Sequence, residues 1–510
     1  MAVDTGSSVV SFSILSADAS LSYDQIKMRL EEYSQLLKSD SPTIEFSTKH
    51  GKMIVCWKQA DEMEEQLQEA KDLLQAMIEA RDVPTIEVIH RLCDLATVLD
   101  QFKLQEECLV IGDCAIKLAQ ALGLRALEFQ KEQAQTIALI AGLDAYESRA
   151  RHLFIQAISV CEAFAIEDGS DSAKFTLLEV LRYSGFRGYA YPVLCAQWLD
   201  RAVDLIAELP SAMVTDVHRA SIYTSYGASL IALKEHSKAL AITEKAIAYT
   251  RSLTSGHGHA SHNGTLPFTL HNYGIILSEM GRHEDALSVR QEAVTLYRTL
   301  DVDGQGRNKH FTNALLSYGT TLYKMGRHED ALSVKQEAVS LYRALIVDGQ
   351  EQNEGLADAL HNYGNTLSCM GRHDDALSVR QEAVSLYRTL NVDGQEQNKN
   401  LAGALHGYGI TLSEMGRHED ALSVGQEAVA LYRTLDVDGQ EKCLADALHI
   451  YGITLYEMGR HEDALSVGQE AVALYRTLDV DGQEQSLADA LHIYGNTLSD
   501  MGRHEDAPSV

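Results

Sequence analysis

The sequence predicts an all-α chain built as a solenoid of about ten helix hairpins, preceded by a small α+β unit. Three observations predict it. The phrase MGRHEDALSV recurs with its glycine at Gly281, Gly326, Gly371, Gly416, Gly459 and Gly502, in steps of 45, 45, 45, 43 and 43 residues. A fixed period of this size marks stacked supersecondary units. Within each period two segments carry apolar residues three and four apart, which is one face of a helix. Only six prolines occur in 510 residues, and abundant Ala, Leu and Glu favour helix throughout.

Taken in chain order, residues 1–58 hold SVVSFSIL, an amphipathic stretch from Tyr23 to Lys38, and TIEFSTKHGKMIVCW with Lys49-His50-Gly51 as a turn. They read as a strand-helix-hairpin unit. Residues 59–84 form an acidic amphipathic helix, with Met63, Leu67, Leu74 and Ile78 on one face and Pro84 at its end. It reads as a cap for the first repeat, the alternative being a coiled coil that meets a partner. Residues 85–255 hold four worn hairpins, aligned by the triplets Ala96, Cys108, Ala115; Ala138, Ala150, Ala157; Tyr183, Cys195, Ala202; and Gly227, Ala239, Ala246. A loop follows at 256–265, where His257, His259 and His262 read as part of a flexible insertion rather than as metal ligands. Residues 266–510 are six near-identical units. In one of them LADALHIYGITLYEM (444–458) is the first helix, GRH the turn, EDALSVGQEAVALYRTL (462–478) the second helix and DVDGQ the exit. The last unit reaches Val510 inside its second helix, with Ala507-Pro508 in place of Ala-Leu, and reads as a fragment of a longer protein or as an end that is frayed or paired with a partner.

Small residues keep fixed places in this unit for a steric reason. With Gly452 numbered 8 in a frame of 34, Ala464 falls at 20 and Ala471 at 27, where paired helices approach too closely for large side chains. Over residues 266–510 this pattern resembles the tetratricopeptide repeat, and the long unit is similar to those of kinesin light chains and of the sensor regions of fungal NLR-type receptors. The resemblance implies a right-handed α-solenoid whose first helices line a concave groove through positions 2, 5, 6, 9, 12 and 13. One departure is plain: the family's aromatic residue at position 24 is replaced by Arg290, Lys335, Arg380 or Gly425.

Composition narrows the function. Lys plus Arg minus Asp plus Glu is 43 − 73 = −30, a field that repels nucleic-acid backbones and anionic membranes and suits a protein or peptide partner that is basic or neutral. The eight cysteines form no CxxC pair, so neither a zinc site nor a disulfide framework is expected, and a reducing, cytoplasmic setting is the simpler reading. No apolar run is long enough for a membrane span, and Met1 to Asp4 lack the start of a secretion signal. No P-loop, GxSxG, HExxH or kinase signature is present, so the expectation is a non-enzyme without a cofactor. The histidines at position 17 (His283, His328, His373, His418, His461, His504) are expected to pack on their hairpins rather than bind metal. The Asp-Val-Asp-Gly linkers at 301–304, 436–439 and 479–482 lack the third ligand of a calcium loop and read as helix stops.

The resemblance places the ligand groove at His361, Asn365, Ser368, His406, Ser413, Asp446, His449, Ile453, Tyr456, Asp489, His492 and Asn496. Comparison of the copies sharpens this. Residues 401–440 and 444–483 are identical at 37 of 40 positions. The differences are Gly403 against Asp446, Gly407 against Ile450 and Ser413 against Tyr456. From Leu444 to Ala464 against Leu487 to Ala507 the differences are Ile453 to Asn496, Tyr456 to Ser499 and Glu457 to Asp500. All fall at groove positions, as ligand-driven variation after duplication requires; drift at exposed first-helix sites is the alternative. The expected function is a scaffold holding a peptide or protein segment. The alternatives are the ligand sensor of an NLR-type receptor without its NTPase domain, and a kinesin-light-chain-like cargo adaptor. Position-5 histidines that meet ligand predict binding that changes between about pH 5 and 7.5; contacts with neighbouring groups of the chain are the other reading.

Overall fold

The computed structural model describes residues 43–48, 51–56, 86–101, 105–124, 126–255, 265–301, 309–345, 351–390, 395–435, 440–478 and 484–503. The helices expected at 23–38 and 59–80, the histidine-rich loop, the linkers beyond Asp301 and residues 504–510 lie outside these residues. The chain divides into two compact units, 1–303 and 304–510.

In the first unit, β1 (Thr43–Thr48) and β2 (Gly51–Cys56) form an antiparallel hairpin in which Thr48 pairs with Gly51 and Thr43 with Cys56. The helices follow as α1 (Ile86–Gln101) with α2 (Gln105–Gly123), α3 (Gln130–Ala141) with α4 (Glu147–Asp168), α5 (Asp171–Arg187) with α6 (Pro192–Glu208), α7 (Asp216–Ala232) with α8 (His236–Ser255), and α9 (Thr265–Glu279) with α10 (His283–Asp301). The second unit comprises α11 (Lys309–Lys324) with α12 (His328–Leu345), α13 (Glu351–Cys369) with α14 (His373–Leu390), α15 (Gln395–Glu414) with α16 (His418–Thr434), α17 (Gln440–Glu457) with α18 (His461–Thr477), and α19 (Glu484–Asp500). Each helix packs on its hairpin mate and on the next helix in sequence within its unit. This is an all-α solenoid of helix hairpins, because each amphipathic pair can bury its apolar stripe only against its neighbours.

The recurring glycine makes the hairpin turn. Gly281, Gly326, Gly371, Gly416, Gly459 and Gly502 all have φ between 71° and 75°, a left-handed conformation that a side chain disfavours. At the fourth of the second unit's hairpins, Arg460 N–H donates to Leu455 O at 2.9 Å and Gly459 N–H to Tyr456 O at 2.9 Å, so the last carbonyls of α17 are satisfied as the chain reverses. Arg460 then donates from Nε to Asp463 Oδ2 at 2.8 Å, and Glu462 and Asp463 occupy the first turn of α18, where acids oppose the positive end of the helix dipole.

Alanines 20 and 27 are buried at every described repeat of the second unit: Ala331 and Ala338, Ala376 and Ala383, Ala421 and Ala428, Ala464 and Ala471. The steric reading of position 8 needs correction. A Cβ on Gly319 or Gly364 would lie 2.8 Å from the Cγ of Lys335 or Arg380, so glycine is required there. On Gly409 or Gly452 the nearest atoms are at 3.8 Å, an ordinary contact, because the facing position 24 is itself glycine. No helix among the described residues is long and apolar enough to cross a membrane.

Candidate ligand groove

The first helices α13, α15, α17 and α19 carry the residues expected to line the groove. His361, His406 and His449 are half-buried and near enough along consecutive helices for their charges to interact. Burial, reinforced for His361 by Arg380, His406 and Lys335, pushes His361 down to about 4. Burial likewise takes His406 to about 4 against the opposing pull of Asp446. His449 is lowered by burial, with Asp489 and Asp446 opposing. The expected titration between pH 5 and 7.5 is therefore corrected for His361 and His406: partial desolvation lowers both to about 4, below that range. Two of the histidines also have partners on their own helices, since His361 Nε2 lies 3.3 Å from Asn365 Nδ2 and His492 Nε2 lies 3.1 Å from Asn496 Nδ2.

Position 2 is engaged inside the hairpin. Asp446 accepts from the Tyr475 hydroxyl, as Asp358 does from Tyr387 and Asn313 from Tyr342. Asp489 accepts from Gln485 Nε2 at 2.8 Å and is exposed. Position 12 reaches the acid at position 13 of the next unit: Ser368 Oγ donates to Glu414 at 2.9 Å, Ser413 Oγ to Glu457 at 3.2 Å and Tyr456 Oη to Asp500 at 2.7 Å. Ile453 is half-buried, as is its counterpart Ile410. Of the twelve expected residues, the positions varying between copies thus include several that meet neighbouring repeats.

The position-17 histidines do pack on their hairpins where an aromatic ring is available, at Tyr323–His328 (centroids 5.2 Å) and Tyr456–His461 (5.5 Å). Elsewhere Nδ1 approaches the next unit's position 13, 3.1 Å from Glu414 for His373 and 3.1 Å from Glu457 for His418.

What the sequence reading missed lies beneath this face. Lys335 and Arg380 are only 2% and 4% exposed. Lys335 Nζ donates to Asn362 O at 3.1 Å and Thr366 Oγ1 at 3.0 Å and sits 5.0 Å from the centre of the Tyr323 ring. Arg380 Nη1 donates to Gly407 O and Thr411 Oγ1, and Nη2 to Asn365 Oδ1 at 2.8 Å. Burial lowers Lys335 to about 8 and Arg380 to about 10. The available signal was a threonine at position 10 of every first helix in the second unit, buried in each case. The buried thiols of Cys93, Cys161 and Cys195 are pushed up to about 12 by burial, which leaves them as core hydrophobes rather than nucleophiles.

A stack of hairpins offering a row of half-buried polar and apolar side chains defines a helical-repeat protein. Residues 310–389, 355–434 and 400–477 match the tetratricopeptide repeat family, and the stretch 310–477 consists of tetratricopeptide repeats. None of the curated proteins compared matches the chain. Among solved structures it is similar to BtubC (BKLC) from P. vanneervenii, with 15% identity over 47% of this chain and 90% of that one, TM-score 0.39. It is also similar to a putative kinesin light chain of Podosopora anserina with nearly identical TPR-like repeats (12% identity, 43% and 100% covered, TM-score 0.35). A third is aspartyl phosphate phosphatase F from Bacillus subtilis (13% identity, 78% and 96% covered, TM-score 0.45).

Proposed function

We propose that the chain is a protein-interaction scaffold that holds a basic peptide segment of another protein along α13, α15, α17 and α19, without catalysis. The observation that carries this reading is the ladder His361, His406 and His449 on consecutive first helices, with Ile410 and Ile453 left half-exposed one turn away. Apolar side chains interleaved with neutral imidazoles give an extended segment both contact area and hydrogen-bond partners. Asp446, Asp489, Glu414 and Glu457 beside them favour Lys and Arg in that segment and speed its approach. In this reading the selectivity rests on Ile410 and Ile453 and on the imidazoles of His406 and His449, while the side chains of Asp446, Ser413 and Tyr456 hold hydrogen bonds within the chain.

A random-peptide display library panned on the full chain tests it. Selected peptides are expected to be enriched in Lys and Arg, to bind more weakly as salt rises, and to lose at least tenfold in affinity to Ile453→Arg. Peptides that bind the variant as well as the parent, or an acidic enrichment, would contradict the reading.

A further inference from the structure

Units built on residues 401–440 and 444–483 share 37 of 40 residues, so their apolar surfaces cannot tell one neighbour from another. Of the three positions that differ, 6 and 12 lie where repeats touch, and there the change goes with a change in the adjoining unit. A cation at position 24 of one unit reaches the position-6 carbonyl of the next. Where 24 is Lys335 or Arg380, position 6 is Asn362 or Gly407, and the cation takes its carbonyl. Where 24 is Gly425 or Gly468, position 6 is Ile450 or Ile493. The threonine at 10 lies beside the same carbonyl. Thr366 and Thr411 serve the cation and stand 3.3 and 3.4 Å from the position-6 carbonyl. Thr454 and Thr497 donate to it at 3.1 and 2.8 Å, as Thr321 does to Ser317 O at 2.9 Å.

The second pair is matched in length. Tyr at position 12 meets a short side chain at the next position 13, Tyr323 with Cys369 and Tyr456 with Asp500, while Ser meets a long one, Ser368 with Glu414 and Ser413 with Glu457. A hydrogen bond spans the interface in each case although both residues change.

We infer that these two pairs, 24 with 6 and 12 with 13, key each repeat to its own neighbour and fix the order in which near-identical units stack. The physical basis is that a mismatch cannot be absorbed. An isoleucine at 407 would bring its Cβ into van der Waals contact with Arg380 Cζ at 3.5 Å and His361 Cε1 at 3.4 Å, so its branches crowd the guanidinium, and a displaced guanidinium would lose its bonds to Gly407 O and Thr411. A serine opposite Asp500 would fall short of it, leaving the interface without its hydrogen bond. Pairing with the wrong copy is the characteristic misfolding route of repetitive chains, and alternative registers are suppressed by making them pack badly.

Two double-mutant cycles on the full chain test the inference, with the thermal midpoint followed by circular dichroism. In the first, Gly407→Ile alone is expected to lower the midpoint by about 4 °C or more, and Arg380→Gly added to it, which recreates the combination of glycine at 24 with isoleucine at 6 found at Gly425 and Ile450, to restore at least half of the loss. In the second, Ser413→Tyr alone is expected to cost about 2 °C and Glu457→Asp to restore it. Should Gly407→Ile not fold, recovery of a folded chain by Arg380→Gly makes the same point, and the cycle at the half-exposed Ser413 decides independently. Double variants that lose the sum of the two single losses would overturn it.

Discussion

The two units solve the same packing problem with different materials. Over residues 86–255 of the first, the close approaches of helices are filled by different side chains, whereas its last hairpin, α9 with α10, already has the second unit's pattern, with Gly274 against Arg290 and buried Ala293, Val294 and Tyr297. A Cβ on Gly112 would meet Tyr146 Oη at 2.6 Å, one on Gly142 would meet Tyr183 Oη at 2.7 Å, and one on Gly185 would meet Leu199 Cγ at 2.5 Å. Phe154 and Trp198 meet edge to face at 6.0 Å, and buried residues from Ile89 to Ile276 form one connected core. In the second unit the same triplet recurs: Ala383, Val384 and Tyr387; Ala428, Val429 and Tyr432; Ala471, Val472 and Tyr475. A core of distinct shapes specifies its own neighbours, whereas a repeated core needs polar residues at the interfaces to do so. Sequence divergence and interface keying are, on this comparison, two routes to a single stacking order.

The largest expected effect tests the shape-based half. Trp198→Ala should destabilise the helices around it by about 3–5 kcal/mol, read as faster amide exchange in α4 to α7. Equal protection before and after would mean that Trp198 is replaceable and the core less specific than described.

Acid should weaken the second unit through its buried imidazoles. His361 and His406 have folded values near 4, below the ordinary 6.5. The unfolded chain therefore takes up protons first as pH falls, and stability is lost between about 6.5 and 4. At pH 5 the loss is on the order of 2 kcal/mol per histidine, measurable by urea unfolding, and His361→Gln should remove its share of that sensitivity. An acid response unchanged in the variant would place the sensitivity elsewhere.

Lys335 gives a similar effect of opposite range. Its folded value near 8 lies below the ordinary 10.5; the charged form is thus penalised in the fold, and stability rises as pH passes from about 8 towards 10.5. Relative to Lys335→Met, the parent chain should gain about 2 kcal/mol between about pH 7.5 and 9.5. A constant difference across that interval would show that the ammonium is solvated. The smallest effect belongs to the exposed ion pairs that link successive second helices, Arg343–Glu382, Arg388–Glu427 and Arg433–Glu470. Replacing any one arginine by glutamine should change stability by no more than about 0.5 kcal/mol; a larger loss would move part of the neighbour recognition to that surface.

The hairpin architecture was legible because its causes are local: helical periodicity, a turn glycine at a fixed interval, and alanines where helices touch. The contents of the helix interfaces were not. Position 24 departed visibly from the family pattern, yet what a cation does there depends on the carbonyl and threonine of the following unit, about thirty residues away, which helical periodicity does not bring together. A separation of about 45 residues likewise hid the partnership of positions 12 and 13. Their variation between copies reads from sequence as diversification towards a ligand, and in the structure it accompanies a change in the residue opposite. His361 and His406 were readable as groove residues but not as neutral ones, because the burial and the Arg380 charge that hold them neutral come from other helices.

The most direct measurement exchanges the two most similar units without changing composition. Six substitutions, Gly403→Asp, Gly407→Ile, Ser413→Tyr, Asp446→Gly, Ile450→Gly and Tyr456→Ser, swap their first helices. Every residue of the parent chain is still present, but Ile then faces Arg380, Tyr faces Glu457 and Ser faces Asp500. If neighbours are keyed, the thermal midpoint falls by about 5 °C or more and protection is lost first in α15 to α19. A swapped chain that unfolds at the parent midpoint would show that near-identical repeats are interchangeable.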